Sequence, residues 1–278
     1  MADSPNAAQR DYWNESAGPN WVAFHDQLDR QIAGVGQAAI AALDPKPGER
    51  ILDIGCGCGA STLALAERVG EAGAVSGVDL SAPMLAVARA RPIPSGAARP
   101  SFRQADAQTD DLGEAYDGAF SRFGVMFFAE PPVAFANIRR ALKPAGRLAF
   151  VCWRGPAENP FLTAPLQAAA PLLPPMEPPD PLAPGPFAFA DPDRIRSILS
   201  RAGWTAIDIA PLDTPMGGQS VGRTLEMVHH IGPLGRVLRE NPDCAPKVDV
   251  AVRELLTRHQ TPAGVFMAAA LWIVSARA

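Results

Sequence analysis

Asp53, the glycines Gly55, Gly57 and Gly59, and Asp79 are the residues of this chain whose types and spacing point most directly to chemistry. Gly55, Gly57 and Ala60 fit the dinucleotide fingerprint G-x-G-x-x-G/A, in which a tight turn carries the backbone up to a nucleotide-type ligand. Glycine suits such a turn because it tolerates positive φ and lets the ligand come close. Asp53 bears on which ligand that is. A carboxylate just ahead of the first glycine stands where a dinucleotide places its pyrophosphate, and the two anions would repel by roughly several kcal/mol at an effective dielectric of about 20. A nucleoside that carries cations in place of phosphates makes the same carboxylate favourable, and S-adenosylmethionine, with an ammonium and a sulfonium, is such a ligand. Asp79 lies about twenty residues beyond the turn, where an acid accepts both ribose hydroxyls in charge-assisted hydrogen bonds.

These residues need a strand to hold the turn and a helix to follow it. Residues 51–54 are a short apolar run and residues 60–69 read as a helix, which together make the first βα unit of a doubly wound sheet. Residues 74–78 form the second strand, ending at Asp79. The phrases D-I-G-C-G-C-G and G-V-D-L-S resemble motifs I and II of the class I S-adenosylmethionine-dependent methyltransferases. A-L-K-P-A-G-R-L, before the fifth strand, and S-R-A-G-W, before the sixth, are similar to the same family.

The resemblance implies an α/β, Rossmann-like sheet of seven strands in the order 3-2-1-4-5-7-6, with the last strand antiparallel, helices on both faces and a substrate-covering insertion. It implies S-adenosyl-L-methionine as cofactor, contacted by Asp53, Gly55, Cys56, Gly57, Gly59, Asp79 and Leu80. Asp106, with the backbone of Ala107 beside it, takes the position that accepts from the adenine amine. Strand four, residues 116–120, lies beside strand one at the switch point, so Ser121, Arg122, Phe123 and Met126 just past its end face the methyl donor and acceptor. Arg122 either binds the methionine carboxylate or an anionic acceptor, or pairs with a nearby acid. The pattern is closest to the branch that contains quinone-biosynthesis C-methyltransferases and small-molecule methyltransferases, and leaves oxygen, nitrogen, carbon and sulfur acceptors open. Aligning and desolvating two bound reactants accounts for roughly 7–11 kcal/mol of barrier. No catalytic residue is therefore assigned.

Along the chain, residues 1–43 read as a helical segment able to cover the cleft. Its helix runs over residues 21–43, with Leu28, Ile32, Val35, Ala39 and Leu43 on one face. Trp13 and Trp21 either form a lid or cap the edge of the core, and His25 follows Trp21 by one helical turn. Residues 44–154 hold the cofactor-binding core, in which Ser81 caps a helix and Trp153 walls the acceptor pocket. Residues 155–190 are a proline-rich cover, expected to be extended and without helix because prolines lack amide donors. Core resumes over 191–210, residues 211–262 form a helical insertion, and 263–278 supply the last strand. His229 and His230, in the insertion, either serve as a general base or pack among helices.

The 278 residues are 47% apolar, enough for one large core with insertions. A net charge of −4 without a long basic run favours a small-molecule acceptor over nucleic acid. The polar N-terminus and the shortness of the apolar runs predict a cytoplasmic protein without stable membrane insertion. Cys56 and Cys58 lack a second cysteine pair at ligand spacing, so no metal is expected. The oligomeric state is not encoded. Two other classes use the same turn: a non-catalytic S-adenosylmethionine-binding module, and an NAD(P)-dependent oxidoreductase, which Asp53 disfavours.

Overall fold

The glycine turn is held at the end of a central strand because both its flanks are apolar where a buried sheet requires it. The computed structural model describes residues 6–177 and 180–278. Its strands are β1 (Arg50–Ile54), β2 (Ala74–Asp79), β3 (Ser101–Gln104), β4 (Tyr116–Arg122), β5 (Leu142–Trp153), β6 (Thr205–Gln219), β7 (Gln260–Thr261) and β8 (Gly264–Arg277). They form one sheet in the order β3-β2-β1-β4-β5-β8-β6, with the two-residue β7 paired to β8. β1 to β5 run parallel, and β8 runs antiparallel between β5 and β6. With β8 as the seventh long strand, this is the order that the resemblance implies. β1 pairs with β2 on one side and β4 on the other, and it is outside the carboxyl ends at such a switch point that open α/β sheets bind ligands.

The helices are α1 (Ala7–Asp11), α2 (Ala17–Leu43), α3 (Ala60–Val69), α4 (Ala82–Ala90), α5 (Pro131–Arg140), α6 (Pro160–Ala169), α7 (Pro192–Arg201), α8 (Val221–Val228), α9 (Gly232–Glu240) and α10 (Ala245–Arg258). The expected stripe of α2 is buried from Leu28 to Leu43. Its start is earlier than the apolar period predicts, because a π-helical turn over Tyr12–Ser16 joins α1 to α2. Pro19 stands in the first turn of α2, where its missing amide has no intrahelical role. The α4 and α7 caps form as expected, Ser81 Oγ accepting from Met84 N and Asp191 from Asp193 N.

Three boundaries differ from expectation. The proline-rich stretch contains a helix, α6, because Pro160 sits in its first turn and Pro165 removes one donor only. Past a 3-10 turn over Ala170–Leu172, the described residues up to Ala190 form no helix or strand, and it is there that the prolines are densest. β6 continues to Gln219, so the insertion begins later than residue 211. Pro211 and Pro215 are compatible with a strand because β6 is at the sheet edge and pairs with β8 alone. Finally, β5 absorbs the expected turn at residues 143–146: the register jumps from Tyr116↔Leu142 to Gly118↔Arg147, with Ala145 at φ +62°.

A large core surrounds the sheet, and a second cluster binds α6, α8, α9 and α10 through Ala169, Leu225, Leu234, Leu238, Val252 and Leu256. These helices form a cap with apolar packing of its own. Phe24 and Leu28 of α2 meet Met227 of α8 in a third cluster, which ties the N-terminal helix to the cap.

Candidate active site

Gly55, Gly57 and Gly59 all have positive φ, at +65°, +54° and +85°. The neighbours that exclude side chains here are protein as well as ligand. A Cβ on Gly55 would lie 2.8 Å from Gly124 Cα, and one on Gly59 2.9 Å from Ala88 Cβ. The turn is also internally satisfied. The amides of Gly55 and Cys56 both donate to Val78 O, that of Gly57 to Asp79 at 2.7 Å, and that of Gly59 to Cys56 O. Four amides that a pyrophosphate would seek are thus engaged, which disfavours a dinucleotide.

Asp53 does not reach the cleft as expected. It is fully buried beneath the turn and accepts from Ser61 Oγ (2.8 Å) and Thr62 Oγ1 (2.6 Å), anchoring the start of α3 to β1. Desolvation raises its pKa to about 6, against the lowering effect of the two hydroxyls, and its Oδ1 has no partner among the described residues. Ser121 is likewise structural. It is fully buried, donates to Ile54 O across the β1–β4 seam and accepts from Gly124 N. Neither residue lines the cavity.

Asp79 does line it, at the end of β2. One carboxylate oxygen accepts from Gly57 N and the other from Ser81 N at 2.8 Å, so both point along the cleft floor with acceptor capacity to spare. Burial raises its pKa. Leu80 adjoins it, its carbonyl tied by Asn14 and Gln104. Asp106 and Ala107 lie beyond β3 on the same wall. The Asp106 carboxylate accepts from both Gln108 N and the side-chain amide of Asn6, at 2.9 and 3.0 Å to its two oxygens. A ligand meets Asp106 only by sharing or exchanging Asn6.

Arg122 lines the cavity and, with Arg91, shares the carboxylate of Asp29 on α2, at 3.1 and 2.5 Å. Two guanidiniums on one carboxylate leave this corner net positive. Cys58 lies beside them, and burial pushes its thiol up to about 12, so it is no nucleophile. Cys56 is buried in the turn.

The opposite wall is aromatic and apolar. Phe123, at φ +66°, stacks on Trp153 with centroids 4.7 Å apart and planes 7° from parallel, and Trp153 stacks in turn on Phe161 of α6. Met126 completes this wall, and Trp13 packs edge-on against Phe127 and Trp21 at its rim. His25 lines the cavity, its Nδ1 2.7 Å from Val22 O. His229 and His230 do not. His229 Nε2 pairs with Asp249 at 3.0 Å, with a pKa lowered mainly by burial, and His230 stacks on Phe24. A general base from this pair has no geometric support.

These walls enclose one cavity of about 1790 Å³. Pockets for a single small molecule hold roughly 300–1,000 Å³, so this one has room for two reactants side by side. Asp29, Gln31, Gly124 and Phe161 are members that sequence reasoning missed. Gly124 carries no motif, and the others sit on helices whose orientation depends on distant packing.

Residues 51–146 match the family described as "Methyltransferase domain". Nocamycin O-methyltransferase of Saccharothrix syringae is 32% identical over 129 residues, 46% of this chain and 45% of the relative. The ubiquinone/menaquinone biosynthesis C-methyltransferase UbiE of Paraburkholderia phymatum is 38% identical over 135 residues, 48% of this chain and 55% of the relative. The chain thus spans about half the length of these curated relatives. Residues 51–146 are therefore similar to a methyltransferase domain, and both of these relatives are named as methyltransferases. The fold is shared with the crystal structure of YcgJ from Bacillus subtilis, at a TM-score of 0.57 and 18% identity over 87% of this chain and 97% of that one. The matched residues carry the glycine turn, Asp79 and Asp106. Phe161 and the cap lie outside them.

Proposed function

We propose that the chain binds S-adenosyl-L-methionine over the glycine turn and transfers its methyl group to a small planar acceptor in the same cavity. The observation that carries this reading is a single cavity with two unlike ends, one built from the turn, Asp79 and Asp106, the other from Phe123, Met126 and Trp153. The residues present fit the cofactor: Asp79 retains acceptor sites for ribose hydroxyls, and Arg122 offers a cation for a carboxylate. The bound cofactor supplies an electrophilic methyl group on a sulfonium. The chain holds the acceptor against the apolar wall lined by Phe123, Met126 and Trp153, excludes water with the cap, and aligns the two reactants, which can account for roughly 7–11 kcal/mol of barrier.

A non-catalytic binding module has no use for the apolar end of the cavity. One relative is named for O-methylation and the other for C-methylation in quinone biosynthesis, so the matched half does not choose the acceptor atom. A small molecule rather than nucleic acid as partner belongs to the same proposal and rests on the net charge of −4 without a basic run, and a cytoplasmic setting goes with it because no helix among the described residues is long and apolar enough to cross a membrane. α1, α2 and the cap helices are its lid elements. Calorimetric titration with S-adenosylmethionine, S-adenosylhomocysteine and NAD tests the donor: binding of the first two and not NAD is expected, and NAD binding alone overturns the reading. Incubation with labelled methyl donor and an extract of small metabolites tests transfer, and a folded, donor-binding protein that labels nothing supports the binding-module alternative.

A further inference from the structure

On α2, Trp21, His25, Leu28 and Ile32 share one helical side and line the cavity, flanked by Asp29 on one edge and Gln31 on the other. The two polar flanks are in opposite condition. Asp29 is held by Arg91 and Arg122. Gln31 is 7% exposed, and neither Oε1 nor Nε2 has a hydrogen-bond partner among the described residues. A buried carboxamide left unpaired destabilises the protein that carries it, and an apolar side chain of the same volume would fill the site without that cost. An unsatisfied donor and acceptor at a cavity wall are matched by a ligand.

Resting on the proposed reading of the cavity as a donor-plus-acceptor site, we infer that Gln31 is a specificity-determining residue that binds an acceptor with two neighbouring oxygen functions, at least one of them a hydroxyl. The carboxamide presents one acceptor oxygen and an NH₂ donor side by side. A lone hydroxyl satisfies one of these; a vicinal pair satisfies both, with one oxygen donating to Oε1 and its neighbour accepting from Nε2. The apolar wall of the same cavity, with Phe123, Met126 and Phe161 among its lining residues, receives the ring that bears them. The class is therefore a fused aromatic with adjacent hydroxyls, or with a hydroxyl beside a ring carbonyl.

The test uses the full chain saturated with S-adenosylhomocysteine and three probes of one shape, 2,3-dihydroxynaphthalene, 2-naphthol and naphthalene, followed by quenching of the cavity tryptophans. The wild-type protein should bind them in that order, with about tenfold between steps. Gln31→Leu should bring all three within about threefold of naphthalene, leave S-adenosylhomocysteine affinity unchanged, and raise the thermal unfolding midpoint of the free protein. Gln31→Met gives the same comparison if the leucine variant does not fold. The inference is overturned if the hydroxyl preference survives in the variants, if the wild-type protein shows none, or if both variants lower the unfolding midpoint as removal of a structural or water-bridging amide would. Failure of the wild-type protein to bind S-adenosylhomocysteine at all would instead overturn the donor site.

Discussion

At the sheet end of the cavity the polar groups are fixed by backbone. Asp79 is pinned by two amides, the turn amides close on Val78 and Cys56, and Gly55 lies against Gly124. At the cap end the wall is built from side chains of α2, α6 and α8 whose positions depend on packing between helices distant in sequence. The first arrangement is rigid and generic, suited to a ligand that does not change. The second can be altered one side chain at a time without touching the first. On the proposed reading a constant donor and a variable acceptor divide along that line, and the residues that match the methyltransferase family lie mostly on the constant side.

The largest test of this division is Gly55→Val. The new side chain must adopt positive φ and meets Gly124 backbone at 2.8 Å, so the turn cannot form and S-adenosylhomocysteine binding should vanish in calorimetry. Next comes Asp79→Ala, expected to weaken that binding by about 2–4 kcal/mol through loss of two charge-assisted hydrogen bonds while the fold survives. Unchanged affinity in a folded variant removes the ribose assignment. On the other side of the line, Leu256→Ala opens a cavity in the cap core at a cost of about 2–5 kcal/mol. Hydrogen exchange should speed up in α8 to α10 and leave β1 to β4 protected, with donor-product affinity within about twofold; equal loosening of both would show the two ends to be one cooperative unit.

The smallest effect sharpens the role of Asp53. Its folded pKa of about 6 is above the unfolded value, so its protonated form favours the fold. The stability it contributes is complete below about pH 4 and is lost as pH rises through about 6, by at most about 1.4 kcal/mol per unit. The difference in unfolding free energy between wild type and Asp53→Asn should follow that window. A flat difference would mean that Asp53 is ionised across it.

What was legible in the sequence follows the same division. Gly55, Gly57, Gly59, Asp79 and Asp106 announce themselves because turn chemistry is local: the residues that need each other are a few positions apart, and the strand order follows from the family they resemble. Asp53 was legible in place but not in direction, since Ser61 and Thr62, its partners, become visible only once α3 is folded back over β1. The early start of α2 was hidden by a π-turn that breaks the 3.6-residue period, and α6 by prolines whose positions in the helix matter more than their number. His229 and His230 attracted attention by residue type, yet Asp249 and Phe24 hold them outside the cavity. Gln31 drew none, because a glutamine beside an apolar stripe reads as surface until the folded chain shows it buried.

The prolines of β6 have a consequence beyond tolerance at an edge. A strand running from Thr205 to Gln219 on the rim of a sheet is a template on which another chain could add a strand. Pro211 and Pro215 are four residues apart, so their missing amides fall on one side of the strand, and pairing with β8 continues unbroken through both. The side that lacks donors is therefore the outer one. Two rungs of any incoming ladder are absent along that rim, which guards the protein against edge-to-edge aggregation without disturbing the sheet that carries the cavity.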